Sequence, residues 1–347
     1  MKWLLIAIAV NIASLGGGCR SPQVRHETAA VAATNRFEFS QPQMGLPFRI
    51  VLYARDTAAA NAAADAAFAR IAQLNDILSD YDTDSELSQL SHTSGSGRAV
   101  PVSADLWNVL IRARNISAAT DGAFDVTVGP FVSLWRKARR EHRLPRADLL
   151  RAAARSVGWQ QLQLNSRTRT ATLLAPDMRL DLGSIAKGYA IDEALATLRR
   201  SGVTRALVTG GGDMAASEPP PGRAGWRITL APLDVPNAPA ERHVHLRNAG
   251  LGTSGDLFQH VEIDGVRYSH IVNPKTGFGL TDHSLVTVIG RDCITANTAA
   301  TAVSVLGPES GLRYIATLRG AALHLVRKPG ERIEQLESRG LRKHLAP

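Results

Sequence analysis

The stretch Asp181-Leu-Gly-Ser184-Ile-Ala-Lys187-Gly188-Tyr-Ala-Ile-Asp192 constrains this chain more than any other. The short apolar run Met178-Arg-Leu-Asp-Leu before it reads as a strand. Two small residues follow, then an amphipathic helix to about Arg200, with Gly202 where a C-terminal cap is expected. A strand that turns through Gly183 and Ser184 into a helix start leaves backbone N–H groups unpaired, and those groups favour an anion. Lys187 falls in the first turn and adds a cation at the same place. The combination suits a ligand that carries phosphates. It is not the Walker pattern, and no Gly-x-Gly-x-x-Gly opens a helix.

Around this segment, helix and strand patterns interleave without strict alternation. Phe37 to Tyr53 alternates as a hairpin turning at Gly45-Leu-Pro47, and Thr57 to Leu78 has Ala67, Phe68, Ile71, Leu74 and Leu78 at helical spacing. Ser103 caps a second helix to about Ala119, Ala147 to Val157 forms a third, and residues 161 to 183 form a Leu/Thr-rich hairpin. Strands are expected at Arg205 to Thr209, Trp226 to Leu233, His243 to Leu246, Tyr268 to Val272, Ser284 to Ile289 and Ala321 to Val326. Two further helices fall at Thr295 to Leu306 and Glu309 to Leu318. The pattern is that of an α+β fold of mixed sheets with packed helices. Thr209-Gly-Gly-Gly-Asp213 and Thr253-Ser-Gly-Asp256 echo each other, which hints at an internal duplication.

The amino terminus suggests where the chain acts. One Lys, a short apolar run to Leu15, then Gly16-Gly-Gly-Cys19 has the layout of an export signal, too short to span a membrane. Small residues before a cysteine resemble a lipoprotein cleavage box, with Cys19 as the lipidated first residue. Residues 1–19 are thus read as an export signal, 20–36 as a tether and 37–347 as a single functional domain. The other cysteine is Cys293, so the exported chain carries no internal disulfide. The formal charge of +9 comes from scattered or paired basic residues, with no basic run interleaved with aromatics. Nucleic-acid binding is therefore not expected, and the charge instead favours anionic ligands or an anionic membrane.

Three Gly/Asp turns, Asp121 to Asp125, Gly210 to Asp213 and Thr253 to Asp256, place carboxylates beside residues that let backbone approach a ligand. Singly each is an ordinary turn; together with the Asp181 motif they gather where strands end. Asn297 and Thr301 share one face of a helix, and their oxygens can serve a hard cation, although such residues are more often plain surface. His270, after Tyr268-Ser269, is either a structural hydrogen-bonding residue or a general base. Cys293 has no histidine partner nearby in sequence, and no Gly-x-Ser-x-Gly elbow is present.

In order, Met44-Gly45, Leu78 to Leu87, Thr120 to Pro130, Asp181 to Asp192, Gly211-Gly-Asp213, Thr253 to Asp256, Tyr268 to Gly277 and Thr295 to Ala302 resemble the motif series of the ApbE family. These are the FAD:protein FMN transferases, once described as thiamine-biosynthesis lipoproteins. The resemblance implies an α+β fold and a Mg2+-dependent enzyme that moves the FMN half of FAD onto a Ser or Thr hydroxyl of a partner protein, releasing AMP. It implies an FAD site lined by Met44, Tyr81, Ala123, Phe124, Asp125, Asp181, Lys187 and Ile271, and Mg2+ held by Ser184, Asn297 and Thr301. His270 is the leading base for the acceptor hydroxyl, with Asp181 as a second catalytic candidate. The expected acceptor is an electron-transfer subunit of a redox complex, reached from the periplasmic face of the inner membrane with Cys19 as lipid anchor. The family usually has Asp at position 297, and the Asn here predicts weaker metal binding unless Asp181 or the FAD phosphates compensate. Mg2+-dependent FAD hydrolysis and a non-catalytic FAD-binding lipoprotein are the alternatives.

Overall fold

The computed structural model describes residues 34–346 apart from 236, 237, 239, 240 and 258, so the export signal, Cys19 and nearly all of the tether lie outside the described residues. Eight strands form the principal sheet: β1 (Asn35–Gln43), β2 (Leu46–Ala54), β3 (Ala206–Gly210), β4 (Asp213–Ala216), β5 (Ala249–Gly255), β6 (His283–Gly290), β7 (Ala322–Lys328) and β8 (Glu334–Glu337). They lie side by side in chain order, every neighbour antiparallel. The α+β expectation holds.

The helices are α1 (Thr57–Leu78), α2 (Glu86–Ser91), α3 (Ala104–Ala119), α4 (Gly129–Glu141), α5 (Ala147–Ala154), α6 (Ala186–Arg200) and α7 (Cys293–Thr317). In α1, Ala60, Ala63, Ala64, Ala67, Phe68, Ile71, Leu74 and Leu78 are buried at helical spacing, which turns one stripe toward the sheet. Asp56 caps it by accepting from Ala59 N at 2.7 Å. Helix α6 ends in a Schellman motif: Val203 N donates to Leu198 O and Gly202 N to Arg199 O, with Gly202 at φ 81°. Helix α7 is the expected pair of helices, joined through Gly307 and Pro308 where the backbone leaves helical geometry.

Helices α1, α6 and α7 pack on one face of the sheet, and their side chains join Phe48, Ile50, Val208 and Val286 in the main core. The other face is covered by the ribbon Trp226–Leu230 and Arg242–Leu246, which packs with Val51, Leu251 and Ile289. The tightest approach is α7 on β5. A Cβ at Gly250 would sit 2.2 Å from Cys293 N, and one at Gly252 2.4 Å from Asn297 N. Asp192 of α6 locks the same corner, its two oxygens accepting from Cys293 N and Ile294 N, each at 2.9 Å.

Several expectations are corrected. The hairpin turns at Met44-Gly45, both at positive φ, rather than at Gly45-Leu-Pro47, and β1 starts at Asn35 inside the expected tether. Met178–Leu182 is extended but pairs only through the Val128–Arg179 bridge, because Leu180 N and Asp181 N bond to Ser91 Oγ and Val126 O instead of a strand. Thr253–Gly255 belongs to β5 while Gly211-Gly212 is a hairpin turn, so the two echoing motifs occupy different settings. Helix α4 was not expected.

The α7–β5 contact generates a stability prediction. Gly250→Ala drives a methyl group into backbone that has no flexible side chain to yield, and about 3 kcal/mol of stability is expected to be lost. Urea unfolding measures it, and an unchanged midpoint would show that α7 does not rest on β5 this closely.

Candidate functional site

The Asp181 motif delivers its residues to the junction of α6, α7 and the β4–β5 ladder. Lys187, in the first turn of α6, extends over Asp213 at the start of β4, with Nζ 2.8 Å from Oδ2. The ammonium stands off the hydrogen-bond direction, so this is an ion pair and Oδ2 accepts no hydrogen bond. The other oxygen, Oδ1, accepts from Thr253 N at 3.2 Å. Asp213 is fully buried, whereas the Lys187 side chain keeps 27% of its surface. The Asp213 and Lys187 charges both act on Cys293, which burial pushes well above an ordinary thiol pKa. One helical turn beyond Cys293 stands Asn297, 3% exposed, whose Oδ1 has no hydrogen-bond partner. Thr301, a further turn on, donates its hydroxyl to Asn297 O at 3.3 Å, which leaves its lone pairs free.

A second group surrounds Asp181. Arg136 of α4 bridges two carboxylates, Nη1 to Asp80 Oδ2 at 2.6 Å and Nη2 to Asp181 Oδ2 at 3.1 Å, and its guanidinium lies 4.2 Å from the Tyr81 ring centroid. Tyr81 itself is 78% exposed, its ring held by the Arg136 guanidinium. Asp181 Oδ1 accepts from Gly183 N at 2.8 Å, which fixes the turn into α6. Burial first, and the Asp80 charge second, raise the Asp181 carboxyl above its ordinary pKa against the pull of Arg136.

The third group is the segment carrying His270 and Ile271. Nδ1 of His270 lies 3.1 Å from Gln259 O. A carbonyl can only accept, so Nδ1 carries the proton and Nε2 presents a lone pair. Desolvation, joined by the Arg139 and Lys187 cations, lowers the imidazole to about 4. The residue is nevertheless solvent-exposed, and water tempers the size of this shift. The direction is downward, and the ring is neutral at pH 7. The hairpin His260–Ile263/Val266–Ser269 preceding it is anchored by Asp256, which is 2% exposed and accepts from Arg267 Nε at 2.5 Å, His283 Nδ1 at 2.8 Å and Ser284 N at 3.1 Å. Trp135 of α4 stacks 5.1 Å from Tyr268 and donates to Gly277 O at 2.8 Å, so α4 braces this segment as well as the Asp181 group.

The other expected ligand residues form a supporting wall. Ala123 and Phe124 are buried at 5% and 1%, with Phe124 in the main core. The Asp125 carboxylate turns inward to Thr127, accepting from its N at 2.8 Å and its Oγ1 at 2.7 Å, and burial raises its pKa. Met44 sits at φ 51° in the β1–β2 turn and packs on the core, and Ile271 is 8% exposed. Ser184 lies partly buried at the start of α6. Among the described residues no three His, Cys, Asp or Glu side chains cluster as metal ligands, so any cation held here would need neutral side-chain oxygens. The unpartnered Asn297 Oδ1 fits that demand. A surface cleft lined by Arg114, Trp159, Gln160 and Gln163 shares none of these residues.

In the sequence Asp256 is singled out as a turn carboxylate, but no part is given to Arg136 or Asp80, which the structure brings to Asp181. Arg136 sat in a run read as scattered basic surface, but Pro130 near a helix start and Phe131, Trp135 and Ala138 at helical spacing mark an amphipathic helix that aims it inward.

The model of the ApbE family matches residues 44–324. The FAD:protein FMN transferase of Klebsiella pneumoniae is 31% identical over 311 residues, 88% of each chain, and that of Vibrio cholerae 30% over 317 residues, 90% of each. Among solved structures, flavin transferase ApbE from Vibrio cholerae aligns with TM-score 0.81 at 27% identity, covering 90% of this chain and 100% of that one. The apo flavinyl transferase ApbE of Pseudomonas stutzeri aligns with TM-score 0.79 at 29% identity, covering 89% and 96%. This chain belongs to the ApbE family.

Replacing Arg136 with Gln strands two mostly buried carboxylates and is expected to cost about 3 kcal/mol. Arg136→Lys should recover only part of that, because one ammonium cannot serve both carboxylates and the ring face. Denaturant unfolding of the three proteins checks the order, and equal stability for Arg136→Gln and wild type would contradict it.

Proposed function

We propose that the chain transfers the FMN moiety of FAD to an acceptor protein, and that Mg2+, a Ser or Thr acceptor hydroxyl and His270 take part. The transfer reading rests on the family and on curated relatives aligned across most of both chains. The observation that carries the chemistry is His270, a neutral imidazole with Nε2 free beside the Lys187 and Arg139 cations. In the reaction, the acceptor oxygen attacks the FMN-side phosphorus and its proton passes to Nε2. The bond from that phosphorus to the bridging oxygen breaks, and AMP leaves with the electron pair. Lys187 and the N–H groups at the start of α6 hold the diphosphate, while Arg136 fixes Tyr81 and Asp181 at its flank. Bound Mg2+ would supply phosphate charge neutralisation, held by Ser184, Asn297 and Thr301.

The Lys and apolar run before Cys19 support export and a lipid anchor there, which would put the acceptor at the periplasmic face of the inner membrane. Electron-transfer subunits bearing a Ser/Thr flavinylation motif are the acceptors we infer.

Incubation with FAD, Mg2+ and a Thr-containing acceptor domain should give a fluorescent acceptor band on a denaturing gel. AMP without labelled acceptor would indicate hydrolysis, and bound FAD with neither would indicate a binder. His270→Ala is expected to slow transfer by about 100-fold or more with FAD affinity retained, as measured by single-turnover labelling. Because the imidazole titrates below its ordinary 6.5, transfer should stay level through neutral pH and fall only at lower pH. A limb centred above pH 7 that disappears in His270→Ala would overturn the neutral-base assignment.

A further inference from the structure

We propose that Asp213 supplies the negative charge of the divalent-cation site in this chain, and that Lys187 competes with the cation for that carboxylate until a phosphate ligand draws the ammonium away. The inference rests on the cation reading above and adds a residue to it.

Asp213 Oδ2 and Asn297 Oδ1 are both buried side-chain oxygens without a hydrogen bond. Such oxygens cost free energy to bury and are rare unless something else binds them. The β4–β5 ladder pairs Leu251 with Met214, and just beyond it Thr253 N donates to Asp213 Oδ1, which brings Asp213 alongside Gly252. That glycine abuts the Asn297 backbone, so Asp213 and Asn297 flank the same α7–β5 contact. Cys293, one turn before Asn297, lies with Sγ 3.8 Å from Leu251 O, beside Gly252 on the same strand.

The two members of the ion pair differ in freedom. Thr253 N pins Asp213 inside the fold, whereas Lys187 has a flexible stem and a partly exposed side chain. An arriving diphosphate offers the ammonium a partner outside the sheet. Its departure leaves a full negative charge facing the neutral Asn297 amide, which is what a hard divalent cation requires. Position 297 then needs no charge of its own.

The test is Mn2+ binding followed by electron paramagnetic resonance of the full chain without nucleotide. Removing the competitor in Lys187→Met should tighten Mn2+ binding about tenfold, and Asp213→Asn should weaken it by a similar factor. The double variant Lys187→Met/Asp213→Asn should lose the gain, and Asn297→Asp in the Asp213→Asn background should restore binding. Lys187→Met should also show a larger rise in unfolding temperature on adding Mn2+ than wild type, a readout that survives poor folding of Asp213→Asn. Unchanged Mn2+ affinity in Lys187→Met overturns the competition, and unchanged affinity in a folded Asp213→Asn overturns the ligand role. Absence of Mn2+ binding in wild type, Lys187→Met and Asn297→Asp alike would instead overturn the cation reading itself.

Discussion

Helix α7 rests on β5 with no side chain between them, because Gly250 and Gly252 leave room only for backbone. In most helix–sheet contacts a layer of aliphatic side chains absorbs small shifts; here the position of the helix is set directly by the strand. The α6 carboxylate of Asp192 caps the first turn of α7 at the same corner, so two helix N-terminal regions and one ladder form a single rigid joint. Lys187, Asp213 and Asn297 are all registered from that joint. Side chains far apart in sequence thus gain their mutual positions from packing of backbone.

Polar groups make the rest of the site stiff. Asp256 is nearly inaccessible yet fully engaged by His283, Arg267 and Ser284, and it holds a hairpin that would otherwise be a loose excursion from the sheet. Asp125 plays the same part for the turn after α3, and Arg136 for the segment around Asp80 and Asp181. Each of these carboxylates meets its partners within hydrogen-bond distance, which offsets part of the cost of burying it. The contrast lies at the joint. Of the three buried side-chain oxygens lacking a hydrogen bond among the described residues, Asp213 Oδ2 is ion-paired with Lys187, Asp282 Oδ1 belongs to a carboxylate whose other oxygen pairs with Arg327, and Asn297 Oδ1, at the joint, has neither.

Elements with strong local signals were legible in the sequence. Helix α1 declared itself by alanine-rich periodicity, α3 by Ser103, and the end of α6 by Gly202, because caps and amphipathic stripes depend on near neighbours alone. Helix α4 was hidden by its charges: its apolar stripe covers a satellite core through Phe131 and Trp135, and the intervening arginines masked the period. Met178–Leu182 carried an apolar strand-like run, but its backbone groups bond to Ser91 and Val126, partners that sequence spacing cannot reveal. Strand β5 was obscured by glycines that weaken strand propensity and are needed only because α7 lies against them. Among site residues, Lys187 was placed by its helix start. Asp213 was visible as a turn carboxylate, but its burial against Lys187 is a tertiary fact.

The charge pattern around His270 ties these threads together. Burial first, and the Arg139 and Lys187 cations after it, depress the imidazole, and a diphosphate would neutralise those same cations. An anion drawn to them would weaken the field that disfavours protonated histidine and so raise the basicity of Nε2. The net charge of +9 is thus less informative than its distribution. Lys187, ion-paired with the buried Asp213, and Arg139 are the cations whose field reaches the His270 ring. Neutral Asn297 fits that balance, since an additional fixed anion would offset the cations that the phosphates need.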